Sequence, residues 1–277
     1  MKRSFLTLLL ILTALGAAAQ AKIETKKYKI ADFPDKVTKV VLSGNEMTDV
    51  LLRQAVSERW SISPFEFCSP EEFKSLRKSD QYYFLILADG TDGADPLSYF
   101  TLVKGGADAE KGLSAMLEVV TVPFSQAGSP TAEAFVFLPA FIDLIQAYVP
   151  KAIEKDRNAY AGISILLASK SKDSPKRICL SRSDISPKVD QAVIEKYAGA
   201  TLLVEDAAEA ANYFTEEMPD MLVGYVIAPA NPVKGADCYR LLIDAGTHEL
   251  CYYKHDKIAR DGEVGFTADE LKKFSRW

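Results

Sequence analysis

The sequence has little cysteine, little histidine and no excess of positive charge, and each shortage excludes a class of protein. Four cysteines among 277 residues are too few for a disulfide-dense scaffold. With 33 basic against 38 acidic side chains, the chain lacks a basic excess, so we expect no nucleic-acid partner. A hydrophobic fraction of 48% excludes a disordered chain. No catalytic signature is present, so we expect no catalytic residue and no cofactor.

The first residues have the pattern of a secretory signal peptide. Two basic residues precede an apolar stretch from Phe5 to Leu15, and small residues follow as far as Ala21. This order of a basic, an apolar and a small-residue region is typical of export signals. Cleavage after Ala19 and cleavage after Ala21 both suit the sequence. We take residues 1–21 as the signal peptide.

The rest of the chain has no second apolar run that is long enough to span a bilayer. The longest run, Tyr82 to Ala88, is typical of a single strand. Removing residues 1–21 takes away two basic residues and no acidic one, which leaves 31 basic and 38 acidic residues and a net charge of −7. We therefore expect a soluble, exported protein, periplasmic or extracellular, with an unknown protein or small-molecule partner in the cell envelope.

Export permits disulfide bonds, but the sequence does not choose among them. Cys68, Cys179, Cys238 and Cys251 allow three complete pairings. A bond between the last two is one open possibility, because they flank a predicted turn at Asp244–Gly246. Each cysteine also lies in or beside an apolar, strand-like segment, where a free thiol packs as a small hydrophobic group. No cysteine spacing indicates zinc binding or redox chemistry.

An internal similarity divides the chain into two parts. Residues 40–60 read VVLSGNEMTDVLLRQAVSERW, and residues 178–197 read ICLSRSDISPKVDQAVIEKY. The LS and QAV motifs recur between them at offsets of 138 and 137. Further on, SYFTLV from Ser98 matches CYRLLI from Cys238 at an offset of 140. A constant order at a nearly constant offset indicates two copies of one unit.

Both copies carry the same predicted order of elements, β-α-β-α-β-β-β-α. Strands alternate with helices at first, which is typical of parallel pairing, and the last strands follow short glycine turns, which is typical of hairpins. The predicted fold class is therefore α/β, with two related repeats that each form a mixed sheet covered by helices. We place the first repeat at residues 22–155, a connector at 156–175 and the second repeat at 176–277.

Capping residues predict where several helices begin. Ser69–Glu72 and Thr267–Glu270 both have the sequence of a capping box. Thr48 and Ser186 are the predicted N-caps of the first helix in each copy. Pro187 suits the first turn of the second of these helices.

One loop contains a cluster of oxygen ligands. Asp89, Asp92 and Asp95 lie within seven residues, and a hard cation such as calcium needs several carboxylates close together. The spacing misses the EF-hand pattern, and the closing glutamate of that pattern is absent. Because aspartate and glycine are also common turn residues, we favour a solvated turn. Whether a metal binds stays open, with these three aspartates as the candidates.

The two histidines, His248 and His255, lie outside any recognisable catalytic motif. Four residues after His248, a zinc-protease helix needs a second histidine, and this chain has a tyrosine. The surroundings of Ser164 lack the second glycine of a nucleophile elbow. We expect both histidines to be surface or edge residues. A hydrolase that uses Asp89, Asp92 or His248 is our third hypothesis.

Three segments carry a resemblance to other proteins. Leu102–Gly106, Val120–Phe124 and Phe137–Gln146, together with the signal peptide, resemble segments of exported bacterial proteins without assigned activity. In its order of elements, each copy resembles the small α/β domains of envelope-assembly proteins, such as the TolB N-terminal domain and the curli secretion lipoprotein. The chain differs from them in lacking a lipobox cysteine and propeller repeats. Since fold does not imply function, the resemblance carries no activity over to this chain.

We therefore expect a non-catalytic binding or envelope-associated module built from two related halves. This hypothesis predicts a closed, apolar interface between the halves and an exposed apolar patch elsewhere. The alternative is a periplasmic small-ligand receptor that binds its ligand between the two halves. Because ligands favour clefts between domains, the alternative predicts a polar-lined cleft.

Overall fold

The protein consists of two halves, each built on one five-stranded mixed sheet. The computed structural model describes residues 25–90, 97–128, 130–168, 176–260 and 263–277. The first half begins with the short helix α1. Its elements, in chain order, are α1 (Lys26–Lys29), β1 (Val37–Val41), α2 (Glu46–Arg59), β2 (Phe65–Cys68), α3 (Pro70–Leu76), β3 (Tyr82–Asp89), β4 (Leu97–Lys104), β5 (Leu117–Gln126), α4 (Ala132–Val136) and α5 (Leu138–Glu154).

The second half repeats this arrangement. Its elements are β6 (Arg177–Ser181), α6 (Gln191–Tyr197), β7 (Leu202–Glu205), α7 (Ala207–Thr215), β8 (Met221–Ile227), β9 (Asp237–Asp244), β10 (Leu250–Lys257) and α8 (Ala268–Phe274). Short 3₁₀ turns connect the halves at 158–160 and 162–166.

The two sheets have the same strand order and the same strand directions. The first sheet runs β2-β1-β3-β4-β5, and the second runs β7-β6-β8-β9-β10. In the first sheet, β1 pairs in parallel with β2 and β3, and the pairs β3–β4 and β4–β5 are antiparallel. In the second sheet, β6 pairs in parallel with β7 and β8, and the pairs β8–β9 and β9–β10 are antiparallel. Gln54 and Gln191, which the sequence similarity aligns, lie on the equivalent helices α2 and α6. This topology confirms the predicted α/β fold of two related repeats.

The starts of two helices differ from the prediction. Helix α2 begins one turn earlier than expected, because the Asn45 side chain accepts a hydrogen bond from the Thr48 backbone N–H at 3.1 Å. Helix α6 begins only at Gln191. The predicted cap, Ser186, instead donates its N–H to the Phe266 carbonyl at 2.9 Å, and its carbonyl accepts from the Val189 N–H at 2.9 Å, so Pro187 lies in a turn before the helix. The two predicted capping boxes, at Ser69 and Thr267, are both confirmed.

Helix α5 joins the two halves through one apolar core. It buries ten of its 17 residues. Phe137, directly before it, stacks on Tyr225 of β8 with ring centroids 4.4 Å apart, and Phe141 contacts the same ring edge-on at 6.1 Å. The Tyr225 hydroxyl donates to the Phe124 carbonyl of β5 at 2.8 Å. Side chains of both sheets thus belong to one continuous core.

Even α5 is not a membrane span: none of the helices in the described ranges is long and apolar enough to cross a bilayer.

The two halves present different faces of their sheets to this core. In the first half, Val40 of β1 and helices α2 and α5 lie on the core side, while α3 covers the opposite face. In the second half, Ile178, the counterpart of Val40, packs with α6 and α8 on the face away from the shared core. Helix α7, through Phe214, covers the face that turns toward it. Each sheet therefore has side chains packed against both of its faces.

All four cysteines are free thiols. Cys238 and Cys251 flank the turn between β9 and β10, but the strand register places Cys238 opposite Asp256. Burial raises the pKa of the Cys68 thiol to about 11 and that of Cys179 to about 12. Both thiols are therefore protonated at neutral pH and pack as small hydrophobic groups.

The shared core predicts that the halves unfold together. Phe141 is fully buried and contacts both Phe124 and Tyr225. We expect Phe141→Ala to lower the free energy of unfolding by about 3–5 kcal/mol. Urea denaturation followed by circular dichroism should show one transition, shifted as a whole. Met47→Ala, at an exposed position, is the control and should change stability by less than about 0.5 kcal/mol. Two separate transitions, only one of them shifted, would show that the halves are independent.

Candidate functional site

An open groove lies at the margin of the interface between the halves. Its volume is about 450 Å³, within the range of small-molecule sites, roughly 300–1,000 Å³. Its walls come from α2, from α4 and the start of α5, and from the end of α7 with the turn between β9 and β10. The apolar part of the lining consists mainly of Leu51, Ala55, Phe135, Val136, Pro139 and Phe214, and the polar part of Gln54, Glu58, Arg59, Thr215, Glu217 and His248.

One stripe of helix α2 forms a wall of the groove. Met47, Leu51, Gln54 and Glu58 recur at spacings of four, three and four residues, which places them on one side of the helix. Met47 is 71% exposed, and Val50 beside it is 57% exposed. The opposite side of α2 packs into the core. The apolar surface of this wall therefore extends past the groove onto its rim.

Asp143 of α5 lies outside the groove lining and contacts two of the polar side chains that line it, Arg59 and His248. Its Oδ2 accepts a hydrogen bond from Arg59 Nη1 at 2.7 Å, and His248 Nδ1 lies 2.7 Å from the same oxygen. Arg59 Nη2 also reaches Glu217 Oε1 at 3.2 Å. Because Arg59 ends α2 and His248 lies in the turn between β9 and β10, the Asp143 carboxylate links the two halves. A charged acceptor makes such bonds stronger than neutral ones.

A second polar residue of α5 holds the end of α2 in place. Gln146 Oε1 accepts from the Ser61 N–H at 2.7 Å, and its Nε2 donates to the Arg59 carbonyl at 2.9 Å. Gln146 lies one helical turn after Asp143 on α5. It therefore holds the Arg59 backbone at a position from which the guanidinium reaches the Asp143 carboxylate.

His248 is buried, and the prediction of a surface or edge position is wrong for it. Its side chain is only 5% exposed and stacks on Phe214 of α7, with ring centroids 5.2 Å apart. The turn explains this position, because Asp244 Oδ1 accepts the N–H groups of Gly246 and Thr247. The chain then passes through His248 with φ of 59°. A left-handed backbone is uncommon for residues other than glycine, and such residues cluster at functional sites.

The other residues that the sequence singled out lie elsewhere. Asp89 ends β3 and accepts from the Ser98 hydroxyl at 2.5 Å, away from the groove lining. Asp92 and Asp95 lie outside the described residues, so the metal site stays a prediction. His255 is 43% exposed and pairs with Asp237 at 2.6 Å, as expected of an edge residue. Within the described ranges, no group of three or more His, Cys, Asp or Glu side chains is arranged to hold a metal ion.

The hydrolase hypothesis finds no support in this arrangement. Asp89 and His248 do not share a site. For the part of the chain that the structure describes, the His248 ring has a hydrogen bond only to Asp143, and neither a serine nor a cysteine bonds to it. The hydroxyl of Thr215, in the groove lining, donates to the Ala211 carbonyl of its own helix. The groove offers an apolar floor, a fixed cation and rim carboxylates, which suit binding.

The sequence analysis missed Arg59, Asp143 and Glu217. One signal was available, because Asp143 is the only charged residue in the otherwise apolar or neutral stretch from 134 to 150. A charge in an apolar helix is rarely buried without a partner, so it marks a contact. The identity of that contact depends on a turn 105 residues away and was not readable from spacing.

A buried carboxyl group lies apart from these ion pairs. Asp184, in the 3₁₀ turn after β6, is 9% exposed, and its Oδ2 has no hydrogen-bond partner among the described residues. Burial raises the pKa of Asp184 well above its usual range, and the nearby Glu133 carboxyl of α4 raises it further. Burial also raises the pKa of Glu133.

The shared carboxylate predicts energetic coupling across the site. We expect Asp143→Ala to destabilise the protein by about 1–3 kcal/mol, because His248 loses its hydrogen-bond partner and Arg59 keeps only its contact with Glu217. In a double-mutant cycle with His248→Ala, measured by urea unfolding, the two losses should differ from additivity by about 0.5–3 kcal/mol. Strict additivity would mean that the two side chains do not interact in solution.

The buried Asp184 predicts a pH-dependent gain in stability on substitution. A raised pKa in the folded state favours folding at low pH, and this contribution is lost as the pH rises above the usual aspartate pKa of about 4. We expect Asp184→Asn to stabilise the protein at pH 7 by about 1–3 kcal/mol, with the gain vanishing near pH 4. Urea unfolding at both pH values measures it, with the exposed Asp35→Asn as the control. A gain independent of pH would contradict the assignment.

Comparison with known proteins does not identify a family for this chain. No protein-family model matches the chain, and neither a curated protein nor a solved structure does so. The functional conclusion therefore depends on the groove and its contacts.

Proposed function

We propose that the chain is an exported, non-catalytic binding module of the cell envelope. Its groove takes up an apolar segment of a partner protein that also carries a basic residue. One observation carries this proposal: an apolar groove open to solvent, bordered by carboxylates, where the two halves meet.

The apolar rim favours a protein partner. Large hydrophobic side chains are seldom exposed in clusters, and a contiguous apolar patch marks an interaction site. Met47 and Val50 expose more than half of their surface beside the groove. Methionine adapts its shape to a partner because its side chain is unbranched and flexible. A segment longer than the groove would cover this rim as well, whereas a small ligand would leave it in water.

The charges around the groove favour a basic group on the partner. Arg59 is already held by Asp143 and Glu217. Glu58 accepts a hydrogen bond from the neutral amide of Gln54, at 3.0 Å, so its charge is available to a ligand. After removal of the predicted signal peptide the chain has a net charge of −7. Complementary charge increases both the rate and the selectivity of association.

The rigid packing of the interface between the halves supports binding of a partner to a preformed surface. Phe137, Phe141 and Tyr225 pack the halves into one core, and this closed, apolar interface is what the binding-module hypothesis predicts. A receptor that closes around its ligand needs halves that move apart, which would expose these rings to water.

A small apolar amine is the second candidate ligand, and the groove volume of about 450 Å³ favours it.

Peptide selection tests the proposed function. A phage-displayed library of random peptides, panned on the exported protein, should yield apolar sequences that contain lysine or arginine. For the selected peptides, Met47→Asp/Val50→Asp should weaken binding more than tenfold, or about 1.4 kcal/mol. Glu58→Lys should weaken it as well, because it reverses the rim charge. Fluorescence polarisation with labelled peptides measures both effects.

The control is Val233→Asp, another large exposed hydrophobic position outside the groove lining, which should bind as the wild type does. Failure to enrich any peptide, or equal loss with the control, would refute the protein-partner proposal. Thermal stabilisation by small apolar amines, abolished by Glu58→Lys while peptides fail to bind, would instead identify the second candidate.

A further inference from the structure

A second surface, on the first half, concentrates positive charge in a protein that is acidic overall. It is formed by α1, the end of α5 and the 3₁₀ turn that follows. We call it the basic patch, and its cations are Lys26, Lys27, Lys29, Lys151, Lys155 and Arg157. The carboxylates near them are Glu118, Glu154 and Asp156, and Asp80 and Asp108 line a depression together with Lys29 and Lys104. The chain as a whole has a net charge of −5.

Specific contacts hold the parts of the patch together. Lys27 Nζ donates to the Glu154 carbonyl at 2.8 Å, and the Lys27 backbone N–H donates to Asp156 Oδ1 at 3.3 Å. Lys151 and Arg157 line one shallow depression beside them. Helix α1 is therefore docked on the end of α5, which brings cations from two distant parts of the chain onto one surface.

Half of these cations are available to a partner. Lys155 pairs with Glu154 at 3.3 Å. Lys29, Lys151 and Arg157 are exposed, and no carboxylate of the described residues lies within 4.0 Å of their charged groups. Such charges act on an external anion at full strength, limited only by screening over about 8 Å at physiological salt.

Two exposed aromatic rings lie among the cations. Tyr28 is 56% exposed and Tyr160 is 67% exposed, which makes them two of the most exposed large hydrophobic side chains of the described residues. Lys26 Nζ lies 5.3 Å from the centroid of the Tyr160 ring. Tyrosine prefers the interface between lipid and water, where its ring is in a partly apolar medium and its hydroxyl is hydrated.

We propose that the basic patch docks the protein onto a bilayer that contains anionic phospholipid. Each lysine or arginine near such a surface adds to the attraction, and a single face of the protein is enough. A nucleic acid is the less suitable polyanion, because its binding draws on a wider basic surface than this acidic chain has. The patch does not share residues with the groove, so this docking goes beyond the proposed function. It would leave the groove available to a partner at the membrane.

Vesicle sedimentation tests the proposal. The exported protein should bind vesicles of phosphatidylethanolamine with phosphatidylglycerol, not vesicles of phosphatidylcholine alone, and high salt should release it. Lys29→Glu/Lys151→Glu/Arg157→Glu should lower binding by about 100-fold or more, as expected when three favourable charges are reversed. Tyr28→Ser/Tyr160→Ser should weaken binding several-fold.

The matched control is Lys74→Glu/Lys196→Glu/Lys272→Glu, which makes the same change in net charge at exposed sites outside the patch. It should bind the vesicles as the wild type does, and so should the groove variant Met47→Asp/Val50→Asp. Thermal unfolding of each variant checks that it folds. Absence of wild-type binding to the anionic vesicles, or equal loss in both charge-reversed triples, would overturn the proposal. So would tighter binding to a soluble DNA duplex than to vesicles.

Discussion

The burial of helix α5 is the constraint on which the rest of the structure depends. The helix has apolar residues on nearly every side, and ten of its 17 residues are buried. A helix of this kind cannot be stable on the surface of one sheet, so it needs cover from a second layer. The first half covers it with α2 and β5, and the second half adds Tyr225 against Phe137 and Phe141. The two repeats thereby share one continuous core.

The same burial explains the polar site. Asp143 is 27% exposed at the margin of this core, where a polar side chain needs hydrogen-bond partners. Its partners come from both halves, Arg59 from α2 and His248 from the last hairpin. The left-handed backbone of His248 is maintained by this contact and by stacking on Phe214. The groove therefore lies at the edge of the apolar core, next to the contacts of the half-buried Asp143 carboxyl group with Arg59 and His248.

Local signals made much of the fold predictable, and long-range contacts account for what was not. The repeat offsets predicted equivalent elements, and the capping box at Thr267 predicted the start of α8, because capping depends on residues three positions apart. The start of α6 was mispredicted because Ser186 bonds to Phe266, which lies on a distant segment. The pairing of Asp143 with His248 escaped prediction for the same reason, since it joins residues that only the packing of the halves brings together.

The repeats share a topology but do not pack symmetrically, and the groove follows from this difference. Each half has its first and last helix on one face of the sheet and its middle helix on the other. The first half presents the face with α2 and α5 to the shared core, whereas the second half presents the face with α7. Such a heterologous contact places non-equivalent surfaces side by side. Helix α8, the counterpart of α5, is short and faces away, so a groove bordered by α2, α4 and α7 forms at one place in the molecule.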